Sequence, residues 1–347
     1  MTLTVMVLLT VIILLALFLP FTLRLAEEQL EAFLFVLGIL AVSITGAWTW
    51  HLVGEAFKEP VAISLAVLIT GLLFRKFKKQ LDSLVILLEE KLGLRPAVFL
   101  IILVLSLLSS IITAIIAALA LCEITSNLKL SRRDSIHIIV MGCFAIGLGA
   151  VLTPIGEPFS TIVTAKLSKA PHYAGFFYLL NLLWKFVLPG IVFFAFAATR
   201  LEGKHRQTAP AISEEKVKDI VLRAAKVFVF VMALILFGKG LTPLAESTII
   251  KLPVWALFWA NSISAVLDNA TLAAAEIVPA MTNKQIEFML IALIISGGFL
   301  IPGNIPNIIC ASKFKIKSKE WAKKALPLGI CVMLIYFIVL SILPVAE

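Results

Sequence analysis

Apolar residues along this chain fall into long runs, not into the alternation of a strand or the one-sided pattern of a soluble helix. Runs at 3–20, 30–50, 59–74, 173–199, 221–238 and 326–345 carry few charges. About 20 apolar residues make a helix that crosses the ~30 Å hydrocarbon core of a bilayer. Four further runs are anomalous: 96–126, 135–171, 252–282 and 286–312. A continuous helix over 96–126 would be about 46 Å long, well beyond that core. The pattern predicts an all-α polytopic membrane protein in which several spans are interrupted.

The polar stretches between the runs set a topology. "RKFKK" at 75–79, Lys91 and Arg95 precede the run 96–126, and "KLSRRD" at 129–134 follows it. Basic flanks at both ends place both ends in the cytoplasm. The run is therefore read as a re-entrant hairpin with two arms of about 14 residues, each reaching roughly 20 Å. Irregular backbone at that depth must be buried in protein or line a cavity. Continuing the count, 135–171 crosses outward, 173–199 returns, and the basic stretch from Arg200 to Lys226 is cytoplasmic. The run 252–282 becomes a second hairpin, entered from outside. The expected total is eight crossings and two hairpins, with both termini outside the cell membrane. The run 3–20 lacks a basic leader and a small-residue cleavage site, so it is read as a retained helix.

Residues 59–199 and 221–345 then share one order: helix, hairpin, interrupted helix, helix. They enter from opposite sides, which makes an inverted repeat. Amphipathic stretches precede the hairpins at 78–93 and 241–251 and are read as helices lying on the interface. "SSIITAIIAALALCEI" (109–124) aligns with "SISAVLDNATLAAAEI" (262–277), pairing Ser109 with Ser262 and Glu123 with Glu276, while Gly156 and Lys166 pair with Gly303 and Lys313. The domains expected are two scaffold helices (1–54), a first repeat (55–199), a cytoplasmic linker (200–220) and a second repeat (221–347).

Composition agrees. The 347 residues are 61% hydrophobic and 15% charged, against about 45–50% apolar for soluble domains. The net charge of +9 comes from a few basic loops, so it reads as a topology signal and not as a nucleic-acid surface. Cys122, Cys143, Cys310 and Cys331 show no CxxC spacing and are read as small core residues, with no transition metal and no bound cofactor.

The candidate chemistry sits at the interruptions. Asp268 falls near the centre of the second hairpin, with Asn269 and Thr271 beside it. A carboxylate at the bilayer midplane costs roughly 2.5–3.5 kcal/mol, so it must face a partner or a cavity. Capping a helix is its plainer role. In "TPIGEP" (153–158), Pro154 and Gly156 break the run and Pro158 suits the first position of a new half-helix. Glu157 then sits at that half-helix N-terminus beside freed carbonyls and Thr153. A proline kink capped by Glu157 is the simpler alternative. In "IPGNIP" (301–306), Asn304 takes the slot of Glu157, and Asn307 lies one turn on. Ser109, Ser110 and Thr113 are the polar groups near the first hairpin tip. This inventory of hard oxygens suits Na⁺ or H⁺. Glu123 and Glu276 end the hairpin stretches, near the surface or near the site.

At these motifs the sequence resembles the ion transporter superfamily, which groups D-type sodium/proton antiporters, arsenite permeases and dicarboxylate carriers. "AVLTPIGEPFSTI" is similar to its first unwound segment, "SAVLDNATLAAA" to its D-N-x-T hairpin, and "SGGFLIPGNIPNII" to its second unwound segment. The nearest likeness is to its predicted cation transporters. The resemblance implies a homodimer embedded in lipid, an elevator motion, and a substrate site at Glu157, Asp268, Asn269, Thr271 and Asn304. The chain departs from that pattern in two places: Ile115-Ile116 fills the slot of the first hairpin's paired polar residues, and Ile301-Pro302-Gly303-Asn304 replaces T-x-I-G. The function expected is secondary cation transport, foremost Na⁺/H⁺ antiport. Small-anion transport is the alternative, and an intramembrane enzyme, for which no HExxH or GxGD pattern is present, comes last.

Overall fold

The computed structural model describes all residues except 1, 24, 27–28, 77–86, 88–89, 129, 202–216, 249–252, 267–268, 278 and 344–347. Most of the expected interfacial stretch 78–93 and most of the linker 200–220 lie outside the described residues. Every regular element described is helical: α1 (Leu3–Thr22), α2 (Leu30–Thr45), α3 (Trp50–Lys76), α4 (Leu94–Ile112), α5 (Ala114–Asn127), α6 (Arg132–Ala150), α7 (Pro158–Lys166), α8 (Tyr178–Ala198), α9 (Val217–Thr248), α10 (Val254–Ala260), α11 (Asn269–Glu276), α12 (Asn283–Gly297), α13 (Ile305–Phe314) and α14 (Ser318–Ile342). Short 3-10 turns cover Asn261–Ala265 and Ile301–Gly303.

Among the described residues, six helices are long and apolar enough to cross a membrane: α1, α4, α6, α8, α9 and α14. They differ in what surrounds them. About 89% of the α6 window is buried, against 39% for α4 and 33% for α14. A helix apolar all round is either buried in protein or bathed in lipid, and the two kinds are both present here. On the outer helices Leu65 and Ile69 of α3, Val104 and Ile111 of α4, Trp184 and Phe196 of α8, and Ile335 and Ile338 of α14 are exposed. Such broad apolar surface fits a protein embedded in a membrane.

The anomalous runs resolve into broken helices. The run 96–126 splits at Thr113, whose φ of 78° and ψ of 148° end α4 and start α5. The two parts are unequal, 19 and 14 residues, so α4 alone extends about 28 Å, longer than the arm expected. The run 135–171 becomes α6 and α7, and 286–312 becomes α12 and α13. Their caps are local: Ser131 Oγ accepts from Asp134 N at 3.1 Å, and Thr282 and Gln285 form a capping box on α12.

Two boundaries differ from the sequence reading. α3 begins at Trp50 and runs through Pro60 instead of starting near 59. α9 continues through Pro243 to Thr248, so 241–248 is the end of a long helix and not a separate interfacial one. Proline is tolerated in membrane helices because neighbours satisfy the freed carbonyl.

α6 and α12 are the hubs. α6 packs against α4, α5, α8, α13 and α14, and α12 packs against α10, the Asn261–Ala265 turn, α11 and α14. The short second halves cross over: α7 packs on α11, and α13 packs on α5. α9 lies against α2 and α3 on one flank, and α3 touches α5 as α9 touches α11.

Candidate functional site

The first break is closed by backbone. Pro154 and Gly156 stop α6 from continuing, and the chain folds back so tightly that a Cβ on Gly156 would lie 1.9 Å from Ala150 O. Gly156 O accepts from Ala114 N at 2.8 Å, and Thr153 Oγ1 donates to Ser110 O. The unwound segment is thereby fixed to the α4–α5 break. Ser109 Oγ donates to Ser106 O at 2.6 Å and reaches Ile146 O at 3.1 Å. Thr113 takes positive φ without being glycine, a costly conformation that surrounding contacts must hold. Its Oγ1 accepts from Ile116 N at 3.4 Å.

Glu157 is the N-cap residue of α7, with extended backbone and 7% exposure. Its side chain makes no capping hydrogen bond to the first turn of α7. Ser160 Oγ, one turn on, donates to Glu157 O at 2.9 Å and approaches Ala150 O at 3.4 Å. The carboxylate is thus buried at a helix N-terminus, where the dipole favours negative charge, beside a backbone held out of helical register.

The second break repeats this construction. A Cβ on Gly303 would lie 2.5 Å from Gly297 O. Asn304 is the N-cap residue of α13, 4% exposed, and also makes no capping bond. Asn307 is fully buried and donates through Nδ2 to Gly297 O at 2.8 Å and Leu300 O at 3.0 Å. Those two bonds fix the amide orientation and leave Oδ1 without a donor among the described residues, so an oxygen is presented for other use. Ser264 Oγ donates to Leu293 O at 3.3 Å, and Ser296 Oγ donates to Asn261 O at 2.9 Å.

The two breaks touch. Asn304 rests on Gly147 of α6: a Cβ there would lie 3.2 Å from Asn304 Nδ2. Asn269, the first residue of α11, is 2% exposed and has its Nδ2 near Gly297. Thr153, Gly156, Glu157, Ser109, Ser110 and Thr113 therefore gather at one break, and Asn269, Gly303, Asn304 and Asn307 at the other. Thr271 is in α11, where only its backbone is described, and Asp268 lies outside the described residues. Ser106, Ser160, Asn261, Ser264 and Ser296 are buried polar residues at the same breaks that sequence reasoning passed over. A signal was present: Ser106-x-x-Ser109 and Asn261-x-x-Ser264 each put two polar groups on one helical face just before a break.

Around the breaks, charges are paired across elements. Lys313 of α13 is ion-paired with Glu123 of α5, both largely buried. Lys185 of α8 pairs with Glu287 of α12 at 3.0 Å. Lys166 Nζ donates to Ile277 O at 3.2 Å. Arg132 binds Glu320 through Nε and Nη2 at 3.1 and 2.8 Å and also donates to Phe314 O and Lys315 O. His172 contacts Met281 O at 2.9 Å and Asn283 Oδ1 at 3.2 Å. His137 contacts Ala197 O at 2.9 Å, a helix-packing role.

Comparison with curated proteins finds no match. The family described as "Protein of unknown function (DUF1646)" matches residues 6–343, and the chain belongs to that family.

Proposed function

We propose that this protein is a secondary cation transporter, working as a Na⁺/H⁺ antiporter. The observation that carries the reading is Glu157: a buried carboxylate at the N-terminus of a half-helix, not used as a cap, beside unwound backbone. Ionisable groups at membrane depth mark ion or proton pathways, and broken helices supply carbonyl ligands for cations. Glu157, Thr153, Asn304, Asn307 and Asn269 supply oxygens, with Asp268 and Thr271 as further members of the set.

A recurrence of spacing and contacts between the two halves supports this reading, extended here to an inverted repeat. One sequence interval relates Ile146 to Leu293, Ala150 to Gly297, Gly156 to Gly303 and Ser160 to Asn307. The contacts repeat with it: glycine against the end of the preceding helix in both halves, and a side chain one turn into the second half-helix reaching back to the same carbonyl. Helix packing repeats too, with α5 on α13 mirrored by α11 on α7. We extend the reading to re-entrant hairpins at 96–126 and 252–282, and to a homodimer in which α2, α3 and α9 form a static scaffold beside a moving core.

The test is reconstitution into liposomes. An imposed Na⁺ gradient is expected to drive proton flux, and Glu157→Gln or Asp268→Asn to reduce it at least about tenfold, the loss expected when an interaction of ~1.4 kcal/mol or more is removed. No flux, or full flux in both variants, sinks the proposal. Stabilisation by succinate or citrate but not by Na⁺ would instead indicate a small-anion carrier using the N–H groups of α7.

A further inference from the structure

We propose that Glu276 is a proton-binding site separate from Glu157 and Asp268, and that it carries its proton in the conformation described. Glu276 ends α11 and is fully buried. Neither of its carboxyl oxygens receives a hydrogen bond from the described residues. Its neighbouring polar side chain is Asn261. Asn261 Nδ2 donates to Leu257 O at 2.9 Å, while its Oδ1 has no donor among the described residues. The Asn261 amide lies beside the carboxyl, but no described donor comes within hydrogen-bond distance of either Glu276 oxygen.

An ionised carboxylate in that position loses its hydration with nothing to replace it, a penalty of several kcal/mol. A protonated carboxyl removes the charge and becomes a donor itself. Among the described side chains of the helices packed against α11, none is ion-paired with Glu276. Lys166 of α7 binds Ile277 O. Glu287 of α12 is paired with Lys185, and Lys284 lies over the Phe288 ring. Lys239 of α9 is exposed. Glu123 offers the contrast: it also sits in a helix that follows a break, but Lys313 neutralises it. One acid is neutralised by an amine and the other by a proton. A proton site a few turns from the cation ligands would let proton and cation be exchanged in separate steps. That use rests on the transporter reading, whereas protonation of Glu276 does not.

Infrared difference spectroscopy of the full chain in lipid vesicles, titrated with pH, tests the assignment. A carboxylic-acid carbonyl band is expected at neutral pH in the wild type, in Glu157→Gln and in Asp268→Asn, and is expected to vanish in Glu276→Gln. Identical acid bands in wild type and Glu276→Gln overturn the proposal. Thermal unfolding gives an independent arm. Glutamine is close in shape to a neutral acid, so Glu276→Gln should unfold with the wild type while Glu276→Ala unfolds several degrees lower. Equal losses in both overturn it. Where Na⁺-driven flux is observed, Glu276→Gln should lower the protons moved per chain by about one; unchanged stoichiometry overturns the role in transport, while the absence of any flux overturns the transporter reading and leaves the infrared result to decide Glu276.

Discussion

Asn307 and the two close-approach glycines carry the most at the scale of single residues. Asn307→Leu takes the amide donor from Gly297 O and Leu300 O, and a buried group left unsatisfied costs about 1–3 kcal/mol. A clear drop in thermal unfolding temperature in detergent is the expected result. Gly156→Ala places a methyl 1.9 Å from backbone, and Gly303→Ala places one 2.5 Å away. Neither carbonyl can yield as a side-chain tip can, so both variants should lose the monodisperse peak on gel filtration, Gly156→Ala more severely. Gly175→Ala, where a Cβ meets nothing within 4 Å, should behave as wild type. The glycines, prolines and Glu157 were legible in the sequence because they break a helical pattern. Ser264 and Asn261 carried a weaker signal, their i, i+3 spacing before a break, and the alignment drew attention to the identical Ser262 instead. Ser109 and Ser264 are the pair that make the same bond, to Ile146 O and Leu293 O, and backbone partners leave no mark in a sequence.

Between elements, the α5–α13 contact is held by Lys313 and Glu123 inside an apolar surround, with the thiols of Cys122 and Cys310 3.1 Å apart beside it. Removing one member of a buried pair strands the other, at about 3–5 kcal/mol. Glu123→Gln and Lys313→Met should each destabilise strongly, and the double variant should recover part of the loss, as read by thermal unfolding. Arg132 joins the start of α6 to the α13–α14 turn, but its pair with Glu320 is more than a third exposed on the arginine side. That ion pair contributes at most ~1 kcal/mol. The element order and the broken runs were readable from apolar length alone. The true ends of α3 and α9 were not, since prolines that would end a soluble helix sit inside these two.

The whole molecule presents two sets of turns. Arg132 ties the α5–α6 and α13–α14 turns together, and His172 ties the α7–α8 and α11–α12 turns together. The inverted-repeat reading assigns these sets to opposite membrane faces. With Cys331, the exposed native thiol among the described residues, replaced by serine, Lys319→Cys should react with an impermeant maleimide only from the cytoplasmic side. Tyr173→Cys should react only from outside. Labelling of both from one side would refute the arrangement. Asn304 lies close on Gly147, where a Cβ would come within 3.2 Å of its Nδ2. A methyl at 147 would push that amide, and its oxygen with it, by a few tenths of an ångström and leave the other oxygens of the set in place. Gly147→Ala is therefore a dial on ionic radius: it should change the order in which Li⁺, Na⁺ and K⁺ are preferred while the protein stays folded.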